Sequence, residues 1–122
     1  IDGIIATNTT ISRPRDLMDE YKDEEGGISG QPLRELSNKV LSFLSKETNG
    51  ELLLIGVGGI SNAKDVYTKI KLGASLVQLY TALTFNGPQM INKIKKDLSL
   101  LLQSDGYKSI SDAVGIIHSW IK

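Results

Sequence analysis

Hydrophobic positions along this chain fall into two kinds of block. Ile4-Ile5-Ala6, Leu52-Leu53-Leu54-Ile55 and Leu76-Val77-Gln78-Leu79-Tyr80 are nearly continuous apolar runs of strand length. Between and after them the apolar residues recur at helical spacing. Leu33, Leu36, Val40, Leu41 and Leu44 predict a helix that Pro32 opens and Asn49-Gly50 stops. Val66, Ile70 and Leu72 predict a second, capped by Ser61 or Asn62, with Asp65 three residues after Asn62 as in a capping box and Gly73 at the end. A third runs from about Pro88 to Leu102 with Ile91, Ile94, Leu98 and Leu101 inward, and Gly106 follows it. A shorter helix is expected near Ser111 to Trp120.

No antiparallel hairpin signal interrupts this alternation. Strands apolar on both faces and joined by helical crossovers imply a parallel sheet covered by helices. Three strands cannot close a barrel, and as an open sheet they leave two long edges. The expected fold is therefore α/β, the C-terminal part of a (β/α)8 TIM-type barrel, with a doubly wound sheet as the competitor. The chain begins at Ile1 inside a strand-like run with no initiator Met, so residues 1–122 are expected to be a portion of a longer protein, the N-terminal barrel half lying outside it. Residues 10–31 are charged and glycine-rich without clean periodicity, which predicts a long functional or mobile loop.

Composition removes several classes of function. Lys+Arg and Asp+Glu both total 14, so no charge excess points to nucleic acid. The absence of cysteine excludes disulfides, thiolate nucleophiles and Cys-based zinc sites. No apolar run approaches the roughly 20 residues that span a bilayer. His118 is the lone histidine, too few for a metal site, and reads as a surface or helix-packing residue. Asp23-Glu24-Glu25 reads as a solvated turn, and Lys93, Lys95 and Lys96 with Asp97 as a solvated helix face. Tyr107 and Trp120 are expected to cover the outer layer.

The candidate chemistry gathers where strands give way to helices. Gly56-Val57-Gly58-Gly59-Ile60-Ser61 approaches the dinucleotide fingerprint, but Ser61 stands at the third glycine position and no acidic residue follows some 20 residues on. A phosphate held by backbone amides at Gly58-Gly59 and at Tyr80-Thr81 is the preferred reading, because adjacent parallel strands bring the two turns together. A purely structural pair of tight turns is the alternative. Thr7-Asn8-Thr9 ends the first strand, and Asn8 offers both a donor and an acceptor to the amide edge of a planar ring. From spacing alone, simple loop capping by Asn and Thr is the preferred reading of these residues. No nucleophile–base pair and no acid–base carboxylate pair is present, so no catalytic residue is assigned within the chain. Flavin hydride transfer suits such a segment, because the cofactor carries the chemistry.

Five segments in order resemble the C-terminal part of the dihydroorotate dehydrogenase family, class 2, the quinone-dependent and membrane-associated form. They are Asp2-Gly3-Ile4-Ile5-Ala6-Thr7-Asn8-Thr9-Thr10 with Ser12-Arg13-Pro14, then Gly26-Gly27-Ile28-Ser29-Gly30-Gln31-Pro32-Leu33, then Gly56-Val57-Gly58-Gly59-Ile60, Gly73-Ala74-Ser75 and Leu79-Tyr80-Thr81-Ala82-Leu83. The resemblance implies FMN-dependent oxidation of dihydroorotate to orotate in pyrimidine synthesis. It places FMN against Thr7, Ser29 and Gly30, with the FMN phosphate on Gly58, Gly59, Tyr80 and Thr81. It places the orotate ring on Asn8 and Thr9. It also implies that the proton-accepting serine, a flavin-contacting lysine and the quinone-admitting helices precede Ile1. These 122 residues alone would then be neither catalytic nor stably folded. Location would be the mitochondrial inner membrane, or the cytoplasmic membrane in a bacterium. The alternatives are another flavin barrel, such as class 1 or a dihydropyrimidine dehydrogenase or dihydrouridine synthase type, and a non-catalytic α/β module.

Overall fold

The computed structural model describes residues 1–15 and 17–118. In chain order it contains β1 (Gly3–Ala6), α1 (Arg34–Glu47), β2 (Leu53–Val57), α2 (Ala63–Lys71), β3 (Leu76–Gln78), α3 (Thr81–Asn86) and α4 (Gln89–Ser104). Short 3-10 turns cover Gln31–Leu33 and Ile110–Ala113. Among the described residues the strands form one parallel sheet in the order β1-β2-β3, with Ile5 opposite Ile55 and Ile55 opposite Leu76. Spatial order follows chain order without reversal. That is how a barrel grows, whereas a doubly wound sheet reverses direction at its switch point.

Side chains alternate across the pleat, and only one face of this sheet is covered. Leu54 packs with Leu41 of α1 and Ala74, with Ile4, Leu44 and Val77 around them. Behind β2 and β3, Val66, Tyr67 and Ile70 of α2 close on Met90, Ile94, Leu98 and Leu102 of α4. The other face is open: Ile5 and Leu76 are each 58% exposed and Leu53 is 45% exposed. The whole chain exposes 8222 Å², against roughly 6,500 Å² expected for a compact protein of this mass. In a closed barrel the open face is the packed interior.

Several expectations need correction. Leu52–Ile55 is not buried on both faces. The strand itself runs from Leu53 through Gly56 to Val57, so the turn proper is Gly58-Gly59. Pro32 lies in the 3-10 turn, and α1 begins two residues later at Arg34. Its buried stripe is Leu33, Ser37, Leu41 and Ser45, while Leu36 is exposed, because the outward position has no neighbouring helix here. In α4 the inward stripe is Met90, Ile94, Leu98 and Leu102, and Ile91 is half-exposed. The third strand ends at Gln78, and Tyr80-Thr81 opens the additional short helix α3. The 10–31 segment carries a single antiparallel bridge between Thr10 and Ile28. Ser111 begins no α-helix: a 3-10 turn capped by Ser109 and Asp112 stops at Val114. Trp120 lies outside the described residues. Tyr107 is half-buried against the α2–α4 cluster, and His118 is buried with Nε2 3.0 Å from the Leu72 carbonyl oxygen, a helix-packing position.

Candidate functional site

At the C-terminal ends of all three strands lies a cleft of about 190 Å³. Thr7, Asn8, Thr9, Ser29, Gly30, Gly58, Gly59, Tyr80 and Thr81 all line it, with Leu33, Val57, Ile60, Leu79 and Ala82 as its apolar wall. Every residue expected to touch the FMN or the orotate ring therefore lines one cleft, although they lie on four separate segments. A wider recess of about 390 Å³ runs along the 10–31 loop and shares only Ser29 with those residues.

Each strand end delivers its residues by a specific contact. The Thr7 amide donates to the Val57 carbonyl at 2.9 Å, extending the β1–β2 pairing by one rung and bringing Thr7 level with the Gly58 turn. That carbonyl also accepts the Ser37 hydroxyl at 2.6 Å, which pins the strand end to α1. Gly58 and Gly59 have φ of 111° and 74°, a region that side chains rarely adopt. A Cβ on Gly59 would stand 2.4 Å from the Arg34 Cα, so the turn lies directly on the first residue of α1. Downstream, Asn62 caps α2 by accepting the Asp65 amide at 3.0 Å. The reciprocal contact of that cap differs from the expected one: Asp65 accepts from the Ser61 amide and hydroxyl rather than from Asn62. Its other oxygen accepts from Arg34 at 3.0 Å.

The loop side is held by two devices. Thr10 and Ile28 exchange amide–carbonyl bonds at 3.1 and 2.7 Å, which sets Thr9 beside Gly27. The Arg13 guanidinium donates to the carbonyls of Ile11, Lys22, Glu24 and Gly26 at 2.7–3.1 Å. Across the cleft the Thr81 hydroxyl donates to the Ser29 hydroxyl at 2.8 Å, joining the loop to the start of α3. Sequence reasoning missed Arg13, Ser37 and Asp65 as organisers of the site. A signal for Ser37 existed: it stands four residues from both Leu33 and Leu41, on the inward stripe.

Chemically the cleft is a set of neutral donors. None of its lining residues is charged. Among the described residues, the amides of Gly58, Gly59, Tyr80 and Thr81 have no acceptor within the chain. The Thr7 hydroxyl is buried and unpartnered. The Asn8 side-chain Oδ1 accepts the Thr9 amide at 2.8 Å, and its NH2 has no acceptor among the described residues. Donor-rich, uncharged turns of this kind suit an oxyanion, and a buried orphan hydroxyl marks where a ligand's polar atom belongs. Among the described residues no group of His, Asp or Glu could hold a metal ion.

Comparison with known proteins bears on the family and the fold. The family model described as dihydroorotate dehydrogenase matches residues 1–102. The chain is 52% identical over 116 residues to the dihydroorotate dehydrogenase (quinone) of Xanthobacter autotrophicus, covering 95% of this chain and 32% of that protein. It is 48% identical over 118 residues to the mitochondrial dihydroorotate dehydrogenase (quinone) of Mus musculus, covering 97% and 30%. Among solved structures, the ligand-free DHODH from Eimeria tenella superposes with a TM-score of 0.94 at 42% identity, covering 98% of this chain and 33% of that one. The chain thus spans about a third of the length of the relatives it matches, and its β/α units are part of an α/β barrel. Strand order, the cleft at the strand ends and these likenesses converge: the chain belongs to the dihydroorotate dehydrogenase family.

Proposed function

We propose that this chain is the C-terminal portion of a longer quinone-dependent dihydroorotate dehydrogenase, and that its cleft holds FMN and one edge of the substrate ring. The observation that carries this is the single cleft uniting unpaired amides on two adjacent strand ends with an orphaned buried Thr7 hydroxyl. The open, apolar sheet face supports the longer chain, since the missing strands would cover it.

In this reading Gly58, Gly59, Tyr80 and Thr81 donate backbone N–H bonds to the FMN phosphate. Such donors hold an anion without a countercharge, as helix N-termini and backbone nests do. Thr7, Ser29 and Gly30 touch the flavin. Asn8 and Thr9 supply hydrogen bonds to the dihydroorotate and orotate ring. The chemistry FMN would supply there is acceptance of a hydride from the substrate, with a quinone as the final electron acceptor. The cleft contains no carboxylate, histidine or amine to take the accompanying proton; as the family resemblance implies, that role is assigned to a serine in the part of the protein outside this chain. Among the described residues no helix is long and apolar enough to cross a membrane, and membrane attachment is assigned to the same outside part. The membrane is the mitochondrial inner one in a eukaryote, or the cytoplasmic one in a bacterium.

The test uses the full-length protein. Anaerobic dihydroorotate should bleach the visible flavin band, and a quinone should restore it. A flavin that stays oxidised would move the substrate elsewhere within the flavin barrels, and a protein without flavin would leave only a scaffold.

A further inference from the structure

Lys69 of α2 has no exposed surface. A fully buried lysine is rare, and it is retained only where its charge is satisfied or used. Its ammonium donates to the Ser37 hydroxyl at 2.8 Å and to the Asn38 side-chain oxygen at 2.9 Å. Ser37, equally buried, donates its own hydroxyl hydrogen bond to the Val57 carbonyl at 2.6 Å. That carbonyl immediately precedes Gly58 and also receives the Thr7 amide. One hydrogen-bonded chain therefore runs from the helix layer to the floor of the cleft: Lys69, Ser37, Val57, Thr7.

The packing leaves this chain little freedom. A Cβ on Gly56 would stand 3.0 Å from the Lys69 Cδ, and one on Gly58 would stand 3.1 Å from the Ser37 Cβ and hydroxyl. Charged groups around the ammonium are few. Asp65 on the same helix is taken up by Arg34 and Ser61, and Glu35 and Arg34 lie on α1. Neither β2 nor the following turn carries a charge. Among the described residues no carboxylate reaches Lys69 within ion-pair distance. Burial lowers its pKa from 10.5 to about 8, with Asp65 and Glu35 opposing the shift.

A purely structural role would be filled better by Met or Leu, which avoid the cost of burying a charge. We propose that Lys69 is a positioning residue for anion binding: acting through Ser37, its buried ammonium holds the Val57 carbonyl so that the Gly58 and Gly59 amides turn toward the phosphate. The positive charge also lies behind a turn whose own donors are neutral. This rests on the reading of the cleft as an FMN-phosphate site.

The test compares FMN with riboflavin, which lacks the phosphate, on the full-length protein by flavin fluorescence. Wild type should bind FMN more tightly, and Lys69→Met should reduce that preference roughly tenfold or more, the range typical of groups that hold ligating groups in place. Riboflavin affinity should stay unchanged. Ser37→Ala, a smaller change, should give much the same loss, and the double variant should lose no more than the single ones. The wild-type preference should fall as pH rises above about 8, while that of Lys69→Met stays flat. Full FMN preference in a folded Lys69→Met or in Ser37→Ala would overturn the proposal. A wild type with no FMN preference would instead overturn the phosphate reading itself.

Discussion

Replacing Gly59 by alanine tests the geometry of the turn most directly. Gly59 has φ of 74°, and an alanine held there costs about 1–2 kcal/mol. Its methyl would stand 2.4 Å from the Cα and Cβ of Arg34 and 2.7 Å from its amide nitrogen. These are atoms at the start of a helix, so relief requires moving the turn or the first turn of α1. Overpacking of this kind costs a further 1–3 kcal/mol or so, giving about 2–5 kcal/mol in all. Gly106 supplies the control, because it has φ of 81° and nothing within 4 Å of its would-be Cβ. Gly106→Ala should cost only the backbone part, about 1–2 kcal/mol. Thermal melts of the full-length variants at one scan rate should show the larger fall for Gly59→Ala, at about 1–2 °C per kcal/mol in a protein roughly three times this length. Gly59→Ala should also release flavin during gel filtration. Equal Tm losses in the two variants would refute the steric argument. A Tm loss with full flavin retention would refute the placing of phosphate at this turn.

Asn8→Ala should impair dihydroorotate oxidation far more than flavin retention, since its assigned partner is the ring; kcat/KM beside the flavin-to-protein ratio checks this, and lost flavin with unchanged substrate affinity contradicts it. Arg13→Ala should free the 10–31 loop by removing donors to four carbonyls, read as faster proteolytic nicking within that loop, and Arg13→Lys should fail to restore protection because an ammonium lacks the planar fork. Tyr67, which donates to Asp105, has its pKa raised from 10.0 to about 12 by burial first and Asp105 second. Its contribution is therefore complete below pH 10 and disappears as pH rises toward 12, and Tyr67→Phe should remove that part of the alkaline stability loss, at about 1 kcal/mol or less in neutral melts. Expressed alone, residues 1–122 should bind a hydrophobic dye and melt without a cooperative transition, given the open sheet face; a sharp two-state melt would contradict the longer-chain reading.

Local signals in the sequence were enough for the order of the three strands and the three longer helices, and for the two turns at Gly58-Gly59 and Tyr80-Thr81. Continuous apolar runs mark strands, 3.6-residue spacing marks helices, and glycine or Asn-Thr at a strand's end marks a turn where backbone amides are left to a ligand. Because parallel neighbours put their C-terminal ends on one side, Gly58-Gly59 and Tyr80-Thr81 could be assigned to one site before any contact was known, whereas Thr7, Ser29 and Gly30 joined them only through the family resemblance. What periodicity does not carry is which of two adjacent positions on a stripe turns inward. Leu36 and Ile91 proved outward and Ser37 and Met90 inward, since the neighbouring helix decides the angle of each stripe. Nor does spacing reveal that α3 follows Tyr80, a six-residue helix too short to show a period. The buried Lys69–Ser37–Val57 chain belongs wholly to tertiary structure. A lysine reads as a surface residue in one dimension, and only the closing of α1 and α2 over the end of β2 excludes water from it and sets its ammonium on Ser37, whose hydroxyl donates to the strand's last carbonyl.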